Sequence, residues 1–415
     1  MKRYDTYKDS GVQWLGEIPG HWGCVQNRFI FKENVRFPQE NDTPLSLSQV
    51  DGLIPTDDMK ESSLKTSSYD NWKRVHIDDI VLNRFKAHLG VLFASKYIGM
   101  VSFHYGVFEM IRPIIPKYYE YMFHSDQFRL ILGFASKGMT VGLQNLGNAD
   151  FYNLKSLYPP IEEQHSIVSY LDDKCGKIDK MLEGKQKQIE LLAEMKQRII
   201  ADAVTRGLNP DVKMKATNIP WLPEIPEHWE MTKVSSHFKQ RNEKVSDKDY
   251  PALSVSKQGV TPQLANVALS NAEGSSRKLV RVGDYAVNSR SDRKGSCGVS
   301  KYEGSVSLIT IVLEPFNIDG DYVHYLFRSN PWIEEFYRNG RGIVADLWTT
   351  NYQMMKTMYM PIPPLSEQRA IVSYITGKTT KLDTLTSKLQ QEIESIKEYK
   401  QRLISDVVTG QIKVC

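Results

Sequence analysis

Four cysteines are few for 415 residues, and Cys24, Cys175, Cys297 and Cys415 lie far apart, with no C-x-x-C pair and no histidine at finger spacing. That scatter gives neither a disulfide framework nor a zinc site, and a reducing cytoplasm is the expected compartment. The nine histidines contain no H-x-x-x-H pair. A lone histidine such as His88 or His104 is expected to be structural or at the surface, so no metal is expected. Long apolar runs are missing as well. No window approaches the ~18 residues of a membrane span, and the polar Met1–Ser10 segment does not read as a signal peptide. Charge of one sign is nearly balanced: 53 Lys and Arg against 49 Asp and Glu leave a formal +4. This permits a polyanionic partner but falls short of the basic footprint of a nucleic-acid coat. What remains is a soluble, globular composition, 41% hydrophobic and 25% charged, on a chain too long for one ordinary core.

The chain contains itself twice. Trp14-Leu15-Gly16-Glu17-Ile18-Pro19-Gly20-His21-Trp22 recurs as Trp221-Leu222-Pro223-Glu224-Ile225-Pro226-Glu227-His228-Trp229, an offset of 207 (221 minus 14). Pro159-Pro160-Ile161-Glu162-Glu163-Gln164 matches Pro363-Pro364-Leu365-Ser366-Glu367-Gln368 at an offset of 204 (363 minus 159), and Ile167-Val168-Ser169-Tyr170 matches Ile371-Val372-Ser373-Tyr374 at the same offset. That offset continues from Lys196-Gln197-Arg198 to Lys400-Gln401-Arg402 and from Asp202 to Asp406. Between the matched blocks, at roughly 23–158 and 230–362, the copies diverge, with faint echoes such as Ser95-Lys96-Tyr97 against Ser300-Lys301-Tyr302. These variable blocks mix short β-rich runs (Ile80-Val81-Leu82, Val91-Leu92-Phe93, Ser307 to Val312) with glycine-bearing turns, which predicts strand-rich α+β domains.

Each Pro-Pro suits a helix entry, and Glu162, Glu163 and Glu367 fall in the first turn, where they complement the dipole. Beyond it, Ile178, Leu182, Lys185, Ile189, Leu192, Lys196, Ile199 and Ala203 are spaced alternately four and three apart; Leu382, Thr386, Leu389, Ile393, Ile396, Lys400, Leu403 and Val407 repeat the spacing. This is a coiled-coil seam whose polar members would set register between two unequal helices of one chain; a pair of solvent-covered helices in one globule is the alternative.

The W-L-G-E-I-P-x-H-W opening, the P-P-x-x-E-Q-x-x-I-V-x-Y helix start and the K-Q-R-x-I-x-D-x-V-T-x-G helix end resemble the conserved regions of type I restriction-modification specificity subunits. The resemblance covers about a third of the chain, and it implies an α+β fold of two strand-rich target-recognition domains related by the internal repeat. Two long antiparallel coiled-coil helices with a pseudo-twofold relation would separate them. The expected divisions are 1–158, 159–215, 216–362 and 363–415. It further implies a non-catalytic DNA-reading chain with three kinds of partner: double-stranded DNA, two methyltransferase subunits carrying S-adenosylmethionine, and restriction/translocase subunits. The chain itself would bind no cofactor. Pro223 against Gly16, and Thr409-Gly410-Gln411 against Thr205-Arg206-Gly207, make the expected symmetry imperfect at the edges.

A pseudo-dyad within one chain presents two similar faces and suits two identical partners. The seam from Ile178 to Ala203 would span ~38 Å at ~1.5 Å per residue, close to the ~34–36 Å between half-sites one DNA turn apart. Two half-sites of about three to five base pairs, separated by a gap of any sequence, are therefore expected.

Enzymatic readings fare poorly. An amino-methylase N-P-P-Y tetrad is missing, because Pro160 and Pro364 are followed by Ile161 and Leu365 and the Asn is lacking. Gly377-Lys378-Thr379 looks like the end of a phosphate loop, but Val372 stands where the first glycine belongs. Candidate DNA contacts are the polar, basic loop residues Asn83, Arg84, Lys86, Lys137, Thr140, Gln144 and Asn145, then Arg290, Arg293, Lys294, Asn339 and Arg341 in the second copy. Arg and Lys suit phosphates and guanine, Asn and Gln suit adenine. Candidate partner and seam residues are Pro160, Glu163, Gln164, Ile178, Leu182, Ile189, Leu192 and Ile199, with Pro364, Glu367, Gln368, Leu382, Leu389, Ile393, Ile396 and Leu403. A stand-alone DNA-binding adaptor without a methylase stays open. A purely structural coiled coil would not explain two divergent blocks inside a repeated frame.

Overall fold

In the computed structural model, which describes residues 2–49, 51–59, 69, 71–138, 144–246, 248–263, 276–342 and 348–414, the run Ile80-Val81-Leu82 lies in a strand, Ile80–Asn83, buried on both faces. Successive side chains of a strand point to opposite faces. Ile80 and Leu82 accordingly join a core containing Phe31, Phe108 and Trp22, whereas Val81 joins Leu45, Val75 and Val107 on the other side. The second copy repeats the division: Tyr285 and Val287 of Tyr285–Asn288 face one core, Ala286 the other.

The chain divides into two compact units, one of residues 1–185 with 390–415, the other of residues 186–389. In the first, an antiparallel sheet runs in the order Phe31–Glu33, Tyr105–Met110, Ile80–Asn83, Leu92–Ala94. In the second, the order Phe238–Gln240, Thr310–Pro315, Tyr285–Asn288, Cys297–Val299 is the same. The β-rich run from Ser307 becomes strand only from Thr310, because Leu308 and Ile309 form the preceding turn. Helices α1 (Pro116–His124), α2 (Asp126–Ala135) and α3 (Asn148–Asn153) cover the first sheet. The long helix α4 spans Ile161–Arg206. Helices α5 (Gly320–Phe327), α6 (Asn330–Arg338) and α7 (Tyr352–Met355) belong to the second unit, and α8 spans Leu365–Val408.

Each unit is closed by the end of the long helix that begins in the other copy of the repeat. In the first, Leu403, Ile404, Val407 and Val408 of α8 share the core of Ile18 and Trp22. In the second, Ile200, Ala203 and Val204 of α4 share the core of Ile225 and Trp229. Both helices then stop on a left-handed glycine, Gly207 at φ +76° and Gly410 at φ +74°. A Cβ on Gly410 would lie 2.5 Å from Pro19 Cγ, and one on Gly207 would lie 3.1 Å from Trp229 Cζ2. The one-residue difference in sequence at these ends therefore leaves the cap itself equivalent.

Along both helices the seam positions are the sheltered ones. Ile178, Leu182, Lys185, Ile189, Leu192, Lys196 and Ile199 are all half-buried, Leu389, Ile393 and Leu403 are buried, and Leu382 and Ile396 are half-buried, while most intervening residues are exposed. Within the first unit, Lys185 bonds Glu392 and Lys400 bonds Asp179, so rising numbers on α4 meet falling numbers on α8: the pairing is antiparallel. Within the second, Lys196 bonds Asp383 at 2.7 Å.

Candidate nucleic-acid interface and helix frame

The frame is built by the prolines and the residues just after them. The Pro160 carbonyl accepts hydrogen bonds from the Glu163 and Gln164 amides at 2.9 and 3.0 Å, and Pro364 accepts from Glu367 and Gln368 at 2.8 and 2.9 Å. Gln164 is fully buried: its Nε2 donates to the Pro159 carbonyl and its Oε1 accepts from the Ile115 amide, both at 2.9 Å. Gln368 repeats this with Pro363 at 2.8 Å and the Asp319 amide at 2.9 Å. Both glutamines thus rivet the helix start to the variable domain. Tyr118 and Tyr322, which the sequence alone did not single out, do the same at the helix end. Tyr118 Oη donates to the Val408 carbonyl at 2.9 Å, and Tyr322 Oη to those of Val204 and Pro361 at 3.3 and 3.0 Å. The signal was present, since each tyrosine pair and each acceptor pair lies 204 residues apart.

Glu163 and Glu367 differ. Glu163 accepts from Tyr4 Oη at 2.8 Å and Trp22 Nε1 at 3.0 Å and is bonded to His21. Burial works to raise its pKa, but the bonds from Trp22, His21 and Tyr4 outweigh this and hold the carboxyl below its ordinary value. Glu367 meets His228 at 2.7 Å, and the buried Trp229 Nε1 has no hydrogen-bond partner among the described residues.

In each unit the structure brings together the two loop segments chosen from sequence. Lys137 and Asn145 exchange backbone hydrogen bonds of 3.0 and 2.8 Å, and the Leu146 amide donates to the Arg84 carbonyl at 3.0 Å. In the second unit Arg341 and Thr349 exchange bonds of 3.1 Å, and the Thr350 amide donates to Ser289 at 3.0 Å. Arg290 also bridges to Thr349. These equivalent backbone pairs lie against the residues that follow the interior strands Ile80–Asn83 and Tyr285–Asn288, just after the ends of α2 and α6 in the chain.

Individual side chains there have different engagements. Asn83 is buried and its Oδ1 caps the next turn, accepting from Phe85 and Lys86 amides at 3.1 and 3.2 Å; Asn288 does likewise for Arg290. Arg84 is held by Glu33 Oε1 at 2.6 Å and Asn148 Oδ1 at 2.7 Å. Lys86 is exposed, Lys137 is mostly exposed although it meets Asp150 at 2.8 Å, Gln144 is half-buried and Asn145 is exposed. Arg290 and Arg293 flank Asp292 at 3.0 and 3.7 Å, Lys294 meets Glu334 at 3.1 Å, and Asn339 donates to Glu335 at 2.8 Å. Arg341 is exposed. Thr140 lies outside the described residues. No cluster of metal-ligating side chains occurs among the described residues, and no described helix is long and apolar enough to cross a membrane.

No family model matches the chain. It is 24% identical over 441 residues to the putative type I restriction enzyme MjaX specificity subunit of Methanocaldococcus jannaschii, covering 96% of each. It is 23% identical over 361 residues to the MjaVIII specificity subunit of the same organism, covering 82% of this chain and 80% of that one. The chain is similar to type I restriction specificity subunits over most of its length. Its fold agrees: a chain solved in work on assembly and conformational transition of a type I R-M system superposes with a TM-score of 0.71 at 15% identity, covering 95% of this chain and 99% of that one. The HsdS subunit from Thermoanaerobacter tengcongensis gives 0.50 at 15% identity, over 95% and 98%. The fold of these chains is therefore matched along nearly the full chain, not only at the short motifs.

Proposed function

We propose that this chain is the non-catalytic DNA-specificity subunit of a type I restriction-modification complex. Each variable domain reads one half of a bipartite, asymmetric site. The repeated helix frame docks two adenine methyltransferase subunits, which carry S-adenosylmethionine, and through the complex the restriction/translocase subunits.

The observation that carries this reading is the duplication of a fixed frame around unlike loops. Gln164 and Gln368 repeat bond for bond, Tyr118 and Tyr322 share the bond to the helix-end carbonyl, and both long helices stop on a left-handed glycine. The backbone pairs Lys137 with Asn145 and Arg341 with Thr349 repeat, with changed side chains. A constant frame suits two copies of one partner, and changed side chains on constant backbone suit two different half-sites. Exposed Lys86, Lys137, Arg293 and Arg341 would meet phosphates, which fix register before bases are read.

The test is co-expression with the companion methyltransferase subunit and mapping of methylated adenines in host DNA. Methylation at a split asymmetric motif, lost when this chain is omitted, is expected. Tight sequence-specific binding by the purified chain, with no chain-dependent methylation, would instead make it a stand-alone adaptor.

A further inference from the structure

Each unit has an open cleft between its second short helix and the paired loops, of about 550 Å³ in the first and about 500 Å³ in the second. The two clefts occupy the same place in the repeat. Leu130, Gly133, Phe134 and Gln144 line the first; Glu334, Tyr337, Arg338 and Trp348 line the second, each 204 residues later. On the opposite face of the same helices the apolar character is kept: Phe128 and Leu132 are buried in one, Trp332 and Phe336 in the other. The core side of the helix is constrained by packing, and the cleft side has changed chemistry at all four shared positions.

The first cleft carries an unusual surface. Phe134 is 85% exposed and Leu130, one helical turn before it, is 62% exposed. Two neighbouring large apolar side chains in water mark a binding surface more often than isolated ones do. Arg129, bonded to Asp126 at 3.3 Å, and His88 also line this cleft, and Lys86, two residues before His88, is exposed. In the second cleft Arg338 and Glu334 stand four residues apart on α6; Lys294 meets Glu334 at 3.1 Å, and Asp292 of the lining is flanked by Arg290 and Arg293. Each cleft thus offers a cation beside the variable side chains, Arg129 in the first and Arg338 with Lys294 in the second.

We propose that these two clefts are the base-reading subsites, one for each half of the DNA site. This rests on the DNA-specificity reading above. The first takes an A·T pair: Phe134 and Leu130 pack on the thymine methyl and the Gln144 carboxamide addresses adenine. The second takes a G·C pair: the Arg338 guanidinium donates to guanine and the Glu334 carboxylate accepts from the cytosine amino group.

The experiment compares the wild-type complex with complexes carrying Phe134→Ala or Arg338→Ala, substitutions at exposed side chains that leave the core untouched. Methylated adenines are mapped for each. Duplexes carrying the mapped motif, or the motif with one base pair changed, are then competed for the purified complexes. Arg338→Ala should lower discrimination at one G·C position of one half-site by about 5- to 100-fold, and Phe134→Ala should do so at one A·T position of the other. Unchanged discrimination at every position, with the wild-type motif still methylated, overturns the assignment and leaves the proposed function standing. Equal loss of affinity for all duplexes, at an unchanged melting temperature, also overturns it, because that is how a phosphate anchor behaves. If the wild-type chain supports no methylation and binds no DNA, the underlying function falls and takes this inference with it.

Discussion

Lys400 Nζ lies 2.6 Å from Asp179 Oδ1 across the helix seam, and their repeat equivalents on the opposite helices, Lys196 (204 positions before Lys400) and Asp383 (204 positions after Asp179), make the corresponding bond at 2.7 Å. A lysine at a seam position weakens apolar packing, but paired in this way it penalises any slip of one helix along the other. Both aspartates are at least half exposed, so each pair contributes only about 0.5 kcal/mol. Lys196→Glu with Lys400→Glu should lower the unfolding midpoint in urea. Adding Asp179→Lys and Asp383→Lys should restore most of it, and the recovery should shrink at high salt. A quadruple variant no more stable than the double would deny the pairs a role in register.

Gln164→Leu keeps the apolar volume but strands the Ile115 amide and the Pro159 carbonyl. A buried polar group without a partner costs about 1–3 kcal/mol. Gln368→Leu should cost a similar amount through the Asp319 amide and the Pro363 carbonyl. Equilibrium denaturation of the two variants measures both, and comparable losses are expected from these equivalent sites.

The two frame tryptophans should not be equivalent. Trp22→Phe removes a donor to the Glu163 carboxylate, whereas Trp229→Phe removes an indole N–H with no partner among the described residues. Both lose the same ring area, so the comparison isolates the hydrogen bond. Trp22→Phe is expected to be the more destabilising by about 1–2 kcal/mol.

His324 sets a pH dependence for the second unit. Burial, Arg328 and Lys301 together lower its pKa to about 4, and the ring Nε2 accepts from Arg328 Nη1 at 3.1 Å. The native ring stays neutral while the unfolded ring, with an ordinary pKa near 6.5, takes up a proton. The stability it contributes is therefore complete above about pH 6.5 and is lost as pH falls toward 4, by about 3 kcal/mol in all. His324→Gln should flatten the melting temperature across that window, which thermal melts at several pH values will read. The depressed Glu163 carboxyl acts below its ordinary value of 4.5 and so outside most of this range.

If helix length sets the spacing of half-sites, one heptad inserted into each of α4 and α8 adds ~10.5 Å, or about three base pairs. The methylated motif should keep both halves and gain that much gap. An unchanged gap would refute the helices as the ruler.

The duplication, the strand-rich α+β blocks and the seam of the long helices were legible in the residues. Each rests on periodicity or on identical spacing, which survive without knowledge of packing. The loop residues were legible as segments but not as side chains. Asn83 had the composition of a base reader and proves to be a turn cap, because only the folded strand shows its Oδ1 beside the Phe85 and Lys86 amides. Trp348, Phe134 and Leu130 were passed over because nothing in a single strand of letters brings the end of a helix beside a loop ten residues further on.

What the sequence determined by itself was a frame written twice around two divergent blocks, since local propensity and a constant offset carry that information. What only tertiary structure decided was which ends belong together. Trp22 packs on Gly410 and Trp229 on Gly207, so each unit is completed by the end of the helix begun in the other repeat. Burial of an indole against a left-handed glycine is a contact between residues up to 388 positions apart (410 minus 22), and no local pattern reports it.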